Sequence, residues 1–157
     1  MRTFRRAVLF ALLALAVSAA CANDYEVGQI WSYRARPQDP GSAVMILLID
    51  KDTPRGEVIF IRVINVNFHA ADGKMVVLQL SPLPFTRAAL DRSVIKLTGK
   101  TSQLNWTDTR YRLWKQAASE GKNVELYRGS VAAAVSELEL RILSDRKQRA
   151  AATKQSQ

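Results

Sequence analysis

The chain has 157 residues, with 23 Lys and Arg against 14 Asp and Glu, a formal charge of +9, and a 48% apolar share. That length fits one domain with a core of its own, and a single cysteine excludes a disulfide framework. Residues 1–22 carry Arg2, Arg5 and Arg6 and no acid, leaving twenty basic against fourteen acidic residues in the remainder. Arg141, Arg146, Lys147, Arg149 and Lys154 face only Asp145 at the C-terminal end, so the body between is nearly neutral. Charge gathered in a tail, rather than spread over one folded face, disfavours nucleic acid as a partner. A basic tail suits anionic lipid headgroups or an acidic envelope polymer, or it simply keeps the chain soluble.

The opening MRTFRR runs into AVLFALLALAVSAA and then the polar NDYE. A cationic start, a short apolar stretch and small residues before a polar run form a secretory signal peptide over residues 1–22. Two processing routes compete. Ala20-Cys21-Ala22 is an A-x-A site that would release a chain beginning at Asn23 and discard the cysteine. Ser-Ala-Ala-Cys is similar to a bacterial lipobox, which would lipidate Cys21, although Ser18 stands where that motif places Leu. Either route makes the protein exported, periplasmic or outer-membrane-anchored, with the membrane reached only through a lipid anchor or the basic tail.

A single domain is expected over 23–143. VGQIWSYRAR alternates with period two, setting Trp31, Tyr33 and Ala35 on one face of a strand. RPQDPGS interrupts it with loop chemistry, and AVMILLID reads as a buried strand. After KDTPRG, the run EVIFIRVINVNF is a long β-branched strand in which Val58, Phe60, Arg62 and Ile64 oppose Ile59, Ile61 and Val63. HAADGK supplies a hairpin turn around Asp72-Gly73, and MVVLQL completes four strands.

The period then changes. LPFTRAALDRSVIKL is expected to be an amphipathic helix, with Thr86 as N-cap, Phe85 and Leu90 as hydrophobic staple, and Leu90, Val94 and Leu97 along its stripe. TDTRYRLWKQAASEG reads as a second helix closed by Gly121, NVELYR as a short strand, and SVAAAVSELELRIL as a third helix capped by Ser130. Residues 144–157 read as a basic, disordered tail. Strands followed by helices indicate an α+β fold: a four-stranded curved antiparallel sheet, or a small SH3-like barrel, covered by two to three helices.

YEVGQIWSYRARPQDPGS and LPFTRAALDRSV together resemble a family of small uncharacterised bacterial exported proteins. That family shares a Gly-x-(Val/Ile)-Trp-x-Tyr opening and a Pro-Phe-(Ser/Thr)-x-x-Ala-Leu-Asp segment. The likeness spans roughly 25–97 and implies a shared fold with no known activity and no catalytic residues. A fainter similarity to PemK/MazF-type toxins, which open with Gly-x-Ile-x-Trp, bears on barrel architecture alone; their Arg-Pro pair is missing here.

The inventory points away from common enzymes. His69 is the sole histidine and falls in an expected turn, and any Cys-His pair would need Cys21. No zinc ligand set or cofactor loop is present in the sequence. Asp50 to Glu57 (DKDTPRGE) has a calcium-loop outline, but Pro54 takes its fifth position, Gly56 its seventh, and Lys51 and Arg55 add repelling charge. The spacing of Asp91, Asp108, Glu120 and Glu125 selects no carboxylate pair. The candidate binding residues are Trp106, Arg110 and Trp114, four apart and therefore on one side of a helix starting near Trp106, with Trp31 and Tyr33 beside them. Packing against the sheet is the competing role for all of these aromatics. The expectation is a non-catalytic binding or envelope-associated accessory domain, whose partner is a protein or an anionic envelope polymer. The alternatives are a small carboxylate-dependent hydrolase of an envelope polymer, and an inhibitor or immunity partner of a secreted enzyme.

Overall fold

A computed structural model describes residues 23–69 and 75–155. The fold is α+β, with strands β1 (Gln29–Tyr33), β2 (Ala43–Asp50), β3 (Val58–His69), β4 (Met75–Thr86) and β5 (Val94–Lys100). They form one antiparallel sheet in the order β4-β3-β2-β1-β5, so the chain meanders from β1 to β4 and then returns to pair β5 with β1. Helices α1 (Arg87–Asp91), α2 (Thr109–Ser119) and α3 (Val131–Gln155) complete the fold.

Alternation divides β3 as its sequence pattern requires. Ile59, Ile61 and Val63 join Trp31, Tyr33, Val44, Ile46, Phe85 and Leu90, with Val131 and Val135 of α3, in the main core. Phe60 and Val58 are equally buried but belong to the opposite face, which α2 covers. Leu47 is the extra residue where the β2–β3 register shifts, so Ile46 meets Ile61 while Leu48 meets Phe60. Such a bulge bends the strand and increases its twist, curving the sheet.

Three expectations are corrected. The helix expected through Leu97 stops at Asp91, and VIKLTGK is strand β5. Thr86 caps α1 as expected, its Oγ1 accepting from the Ala89 N–H at 3.3 Å. Ser93 then ends the helix by bonding its hydroxyl to Ala89 O at 2.8 Å and its N–H to Leu90 O. Beyond it, the backbone gains a β1 ladder that a continued helix would forgo. Four expected strands therefore become five, and the four-stranded count is superseded. NVELYR contributes only a parallel bridge between Tyr127 and Phe85.

The third correction concerns the tail. Residues 144–155 continue α3 rather than forming a disordered end. From Val131 to Gln155 the chain contains no Gly or Pro and is rich in Ala, Leu, Glu, Arg, Lys and Gln, which favour helix intrinsically. The leader, with Cys21, and the Asp72-Gly73 turn lie outside the described residues.

Buried charge ties the layers together. Arg36, between β1 and β2, pairs with Asp39 at 2.6 Å and with Glu139 of α3 at 2.6 Å, and its guanidinium also donates to Asn67 O at 3.1 Å. Glu139 Oε1 accepts the backbone N–H of His69 at 2.8 Å and lies 3.2 Å from its Nδ1. His69 thus ends β3 instead of occupying a turn. At the other end, Arg87 forks onto Glu57 and donates to Asn23 O at 2.7 Å, while Tyr25 OH and Asn23 Nδ2 both donate to Asp91. Among the described residues, no buried side-chain nitrogen or oxygen lacks a hydrogen-bond partner.

Candidate functional site

The face of the sheet opposite the main core carries the candidate site. Phe60 projects from β3 toward α2, where Tyr111 and Trp114 meet it edge-on at centroid distances of 5.2 and 5.3 Å. Those two residues are three apart in sequence, so one helical face delivers both rings. Asp50, at the end of β2, fixes the helix by accepting from Tyr111 OH and Lys115 Nζ, each at 2.8 Å. Burial pushes the Asp50 carboxyl up, but Lys115, Tyr111 and the Asp52 N–H outweigh it and hold the group below the usual aspartate range. Gly121, at φ +73°, turns the chain out of α2, and the N–H of Lys122 closes on Ala117 O at 3.0 Å.

An open groove of about 190 Å³ runs between α2 and the end of β4, lined by Phe60, Pro82, Pro84, Arg110, Trp114 and Glu125. The Trp114 indole cannot swing freely, because its Nε1 donates to Glu125 O at 2.6 Å while its ring abuts Phe60. Opposite it, Pro82 and Pro84 form a stiff apolar wall. Prolines are tolerated there because β4 is an edge strand. Glu125 Oε1 accepts from Tyr127 OH at 2.7 Å and from Arg141 at 2.8 Å. Burial and that carboxylate together push the Tyr127 phenol well above its ordinary range. The groove therefore has an aromatic wall, with Arg110 and a carboxylate already bonded to Arg141 in its lining.

The structure brings Arg110 and Trp114 together and separates them from the other candidates. Trp106 precedes α2, whose N-cap is Asp108, so it does not continue their helical stripe. The backbone just before it, at Asn105, has φ +45°, and Asn105 O accepts from Arg62 at 2.9 Å. Trp31 and Tyr33 are core residues. Trp31 donates to Gln29 Oε1 at 2.9 Å and meets Tyr25 edge-on, while Tyr33 OH bonds Ser42. Their strand alternation directs them inward, which removes them from any surface site. The sequence gives Phe60 only as a strand residue and Glu125 only as an unpaired carboxylate, and it does not single out Pro82 or Pro84; proline in an edge strand beside an aromatic helix was the available signal.

Each carboxylate examined for acid–base work has another partner. Asp91 receives Tyr25 and Asn23, Asp108 lies 3.3 Å from Arg112, and Glu120 pairs with Lys122. In the Asp50–Glu57 connection the two end carboxylates serve α2 and Arg87 respectively. Among the described residues, no group of three His, Cys, Asp or Glu could hold a metal ion, and no helix is long and apolar enough to cross a membrane. Comparison with protein-family models, with curated proteins and with solved structures finds no match to this chain.

Proposed function

We propose that this chain is an exported, non-catalytic binding domain whose α2–β4 groove holds one unit of an acidic envelope glycan. The observation that carries the reading is Trp114, locked by its N–H on Glu125 O and by Phe60, beside the Arg110 guanidinium. A sugar ring lies flat on an indole face, and an anionic substituent on that sugar reaches a neighbouring arginine. An indole held in place before binding loses little freedom when the ligand arrives. Against a hydrolase, the carboxylate lining the groove is Glu125, already engaged by Tyr127 and Arg141, whereas glycoside hydrolysis uses two facing carboxyl groups.

Export rests on the leader pattern over 1–22. Cleavage after Ala22 is preferred to lipidation at Cys21, because Ser18 departs from the lipobox. The contacts of Asn23 with Asp91 and Arg87 survive either route. Mass spectrometry of the mature N-terminus separates a free Asn23 from a diacylglyceryl cysteine. The strand order, with the one-turn α1 between β4 and β5, supports reading the sheet as a partly closed SH3-like barrel.

Titration with muramic-acid-containing wall fragments tests the groove. The indole N–H resonance of Trp114 is expected to shift saturably, and Arg110→Glu to weaken binding at least about tenfold. An unmoved Trp114 resonance at millimolar fragment would overturn the assignment.

A further inference from the structure

We infer that a second surface, distinct from the groove, docks this protein on an anionic lipid bilayer. Four exposed cations converge where β1, the end of α1, the start of β5 and the approach to α3 meet. Arg34 Nη1 donates to Arg92 O at 2.8 Å, and Arg92 Nη2 donates to Arg128 O at 2.9 Å, so each guanidinium lies against the backbone of the next arginine. Lys96 joins them through the β1–β5 ladder, where it faces Ser32 and accepts the Ser32 hydroxyl on its carbonyl. Among the described residues, none of these four side chains pairs with an acid. The nearest carboxylate in sequence, Asp91, is turned toward Tyr25 and Asn23.

Exposed cations gathered on one surface without an acid partner repel one another, so a partner that supplies negative charge gains from several of them at once. The same strand also exposes aliphatic surface. Ile95, next to Lys96, is 63% exposed. Ile95 sits where the β1–β5 register slips, between Val94 opposite Tyr33 and Lys96 opposite Ser32, so it bulges out of the ladder. β5 is an edge strand, which leaves this bulge uncovered.

Charge and polarity together choose the partner. A soluble anion would satisfy the arginines and gain nothing from Ile95. Single-stranded nucleic acid would call for exposed aromatic rings, and the patch has none. An anionic bilayer matches both features: headgroup phosphates meet the cations, and Ile95, bulged from the sheet edge, enters the boundary below them.

The test uses the protein carrying Cys21→Ser, so that no acyl chain contributes, and sedimentation with vesicles. Binding is expected to phosphatidylcholine vesicles containing phosphatidylglycerol, to fall with added salt, and to be absent with phosphatidylcholine alone. Arg92→Glu/Arg128→Glu is expected to lower the partition coefficient about tenfold or more, and Ile95→Ser to lower it severalfold without changing the salt dependence. Neutralising the far end of α3 with Arg146→Gln/Lys147→Gln/Arg149→Gln is expected to leave most binding intact. All these positions are solvent-facing, and thermal unfolding checks that each variant folds. Failure to bind, equal binding to neutral vesicles, wild-type binding by the double Glu variant, or loss of binding in the α3 triple variant would each overturn the inference. None of these results depends on glycan binding at the groove, which Arg110→Glu reads separately.

Discussion

Arg36 and Glu139 stand 103 positions apart in the chain and meet at 2.6 Å. The contact fastens α3 to the loop between β1 and β2, and Asp39 completes the fork by accepting from Arg36 and from the Asn67 N–H at 2.8 Å. Removing one member of a buried pair strands the other charge. Arg36→Ala is therefore expected to cost about 3–5 kcal/mol in urea unfolding. An effect below about 1 kcal/mol would mean that water replaces the guanidinium without difficulty.

The same carboxylate sets an acid limit. Burial raises Glu139, but the His69 N–H and Arg36 outweigh it and keep the group below the ordinary glutamate range. Glu57 is held low chiefly by Arg87. Carboxyls depressed in the folded state stabilise it fully above their unfolded values, about 4.3 for Glu, and lose that contribution as pH falls through the depressed values. The melting temperature is expected to hold from neutral pH to about 5 and to drop below about 4. In Glu139→Gln that drop should be shallower, and an identical acid limb would remove Glu139 from the explanation.

Gly28 and Gly56 predict contrasting substitutions. Both have positive φ, +87° and +81°. A Cβ on Gly28 would lie 2.1 Å from Thr101 O, while one on Gly56 meets nothing within 4 Å. The Gly28 carbonyl accepts the Thr101 N–H at 2.9 Å, so the obstacle is paired backbone and cannot step aside. Gly56→Ala is expected to cost about 1 kcal/mol from backbone strain alone. Gly28→Ala should cost at least about 3 kcal/mol, since the clash adds to that strain. Equal melting temperatures for the two would sink this account.

Asp50 predicts local rather than global behaviour. It is a buried polar anchor of α2, beside the Trp114–Glu125 bond and the packing of Tyr111 and Trp114 on Phe60. Asp50→Ala is expected to speed amide exchange in residues 109–119 about tenfold or more while leaving β2 and β3 protected. Uniform acceleration across the sheet would show that α2 and the sheet open as one unit.

Where local pattern and tertiary pairing agreed, the fold was legible. The two faces of β3, the Thr86 cap and the Gly121 stop all follow from spacing and residue type. The segment after Leu90 was misread because Val94 and Leu97 continue a helical interval, although Ser93 had already closed the helix by bonding back to Ala89. The decision lay with β1, whose free edge offers β5 a ladder, and such pairing over 60 residues leaves no local mark. The groove was half visible. Arg110 and Trp114 were readable from one helix, whereas Phe60, Pro82, Pro84 and Glu125 arrive from three separate stretches. Trp31 and Tyr33 illustrate the converse: aromatic residues that could serve a surface were assigned inward by alternation.

The position of β1 inside the sheet has a consequence for how the chain matures. It comes first in chain order among the described strands, yet one of its two edges waits for residues 94–100. Until then its unpaired backbone invites pairing with a stranger. A chain emerging N-terminus first thus keeps its sheet incomplete until β5 has arrived, and that delay leaves the early strands open.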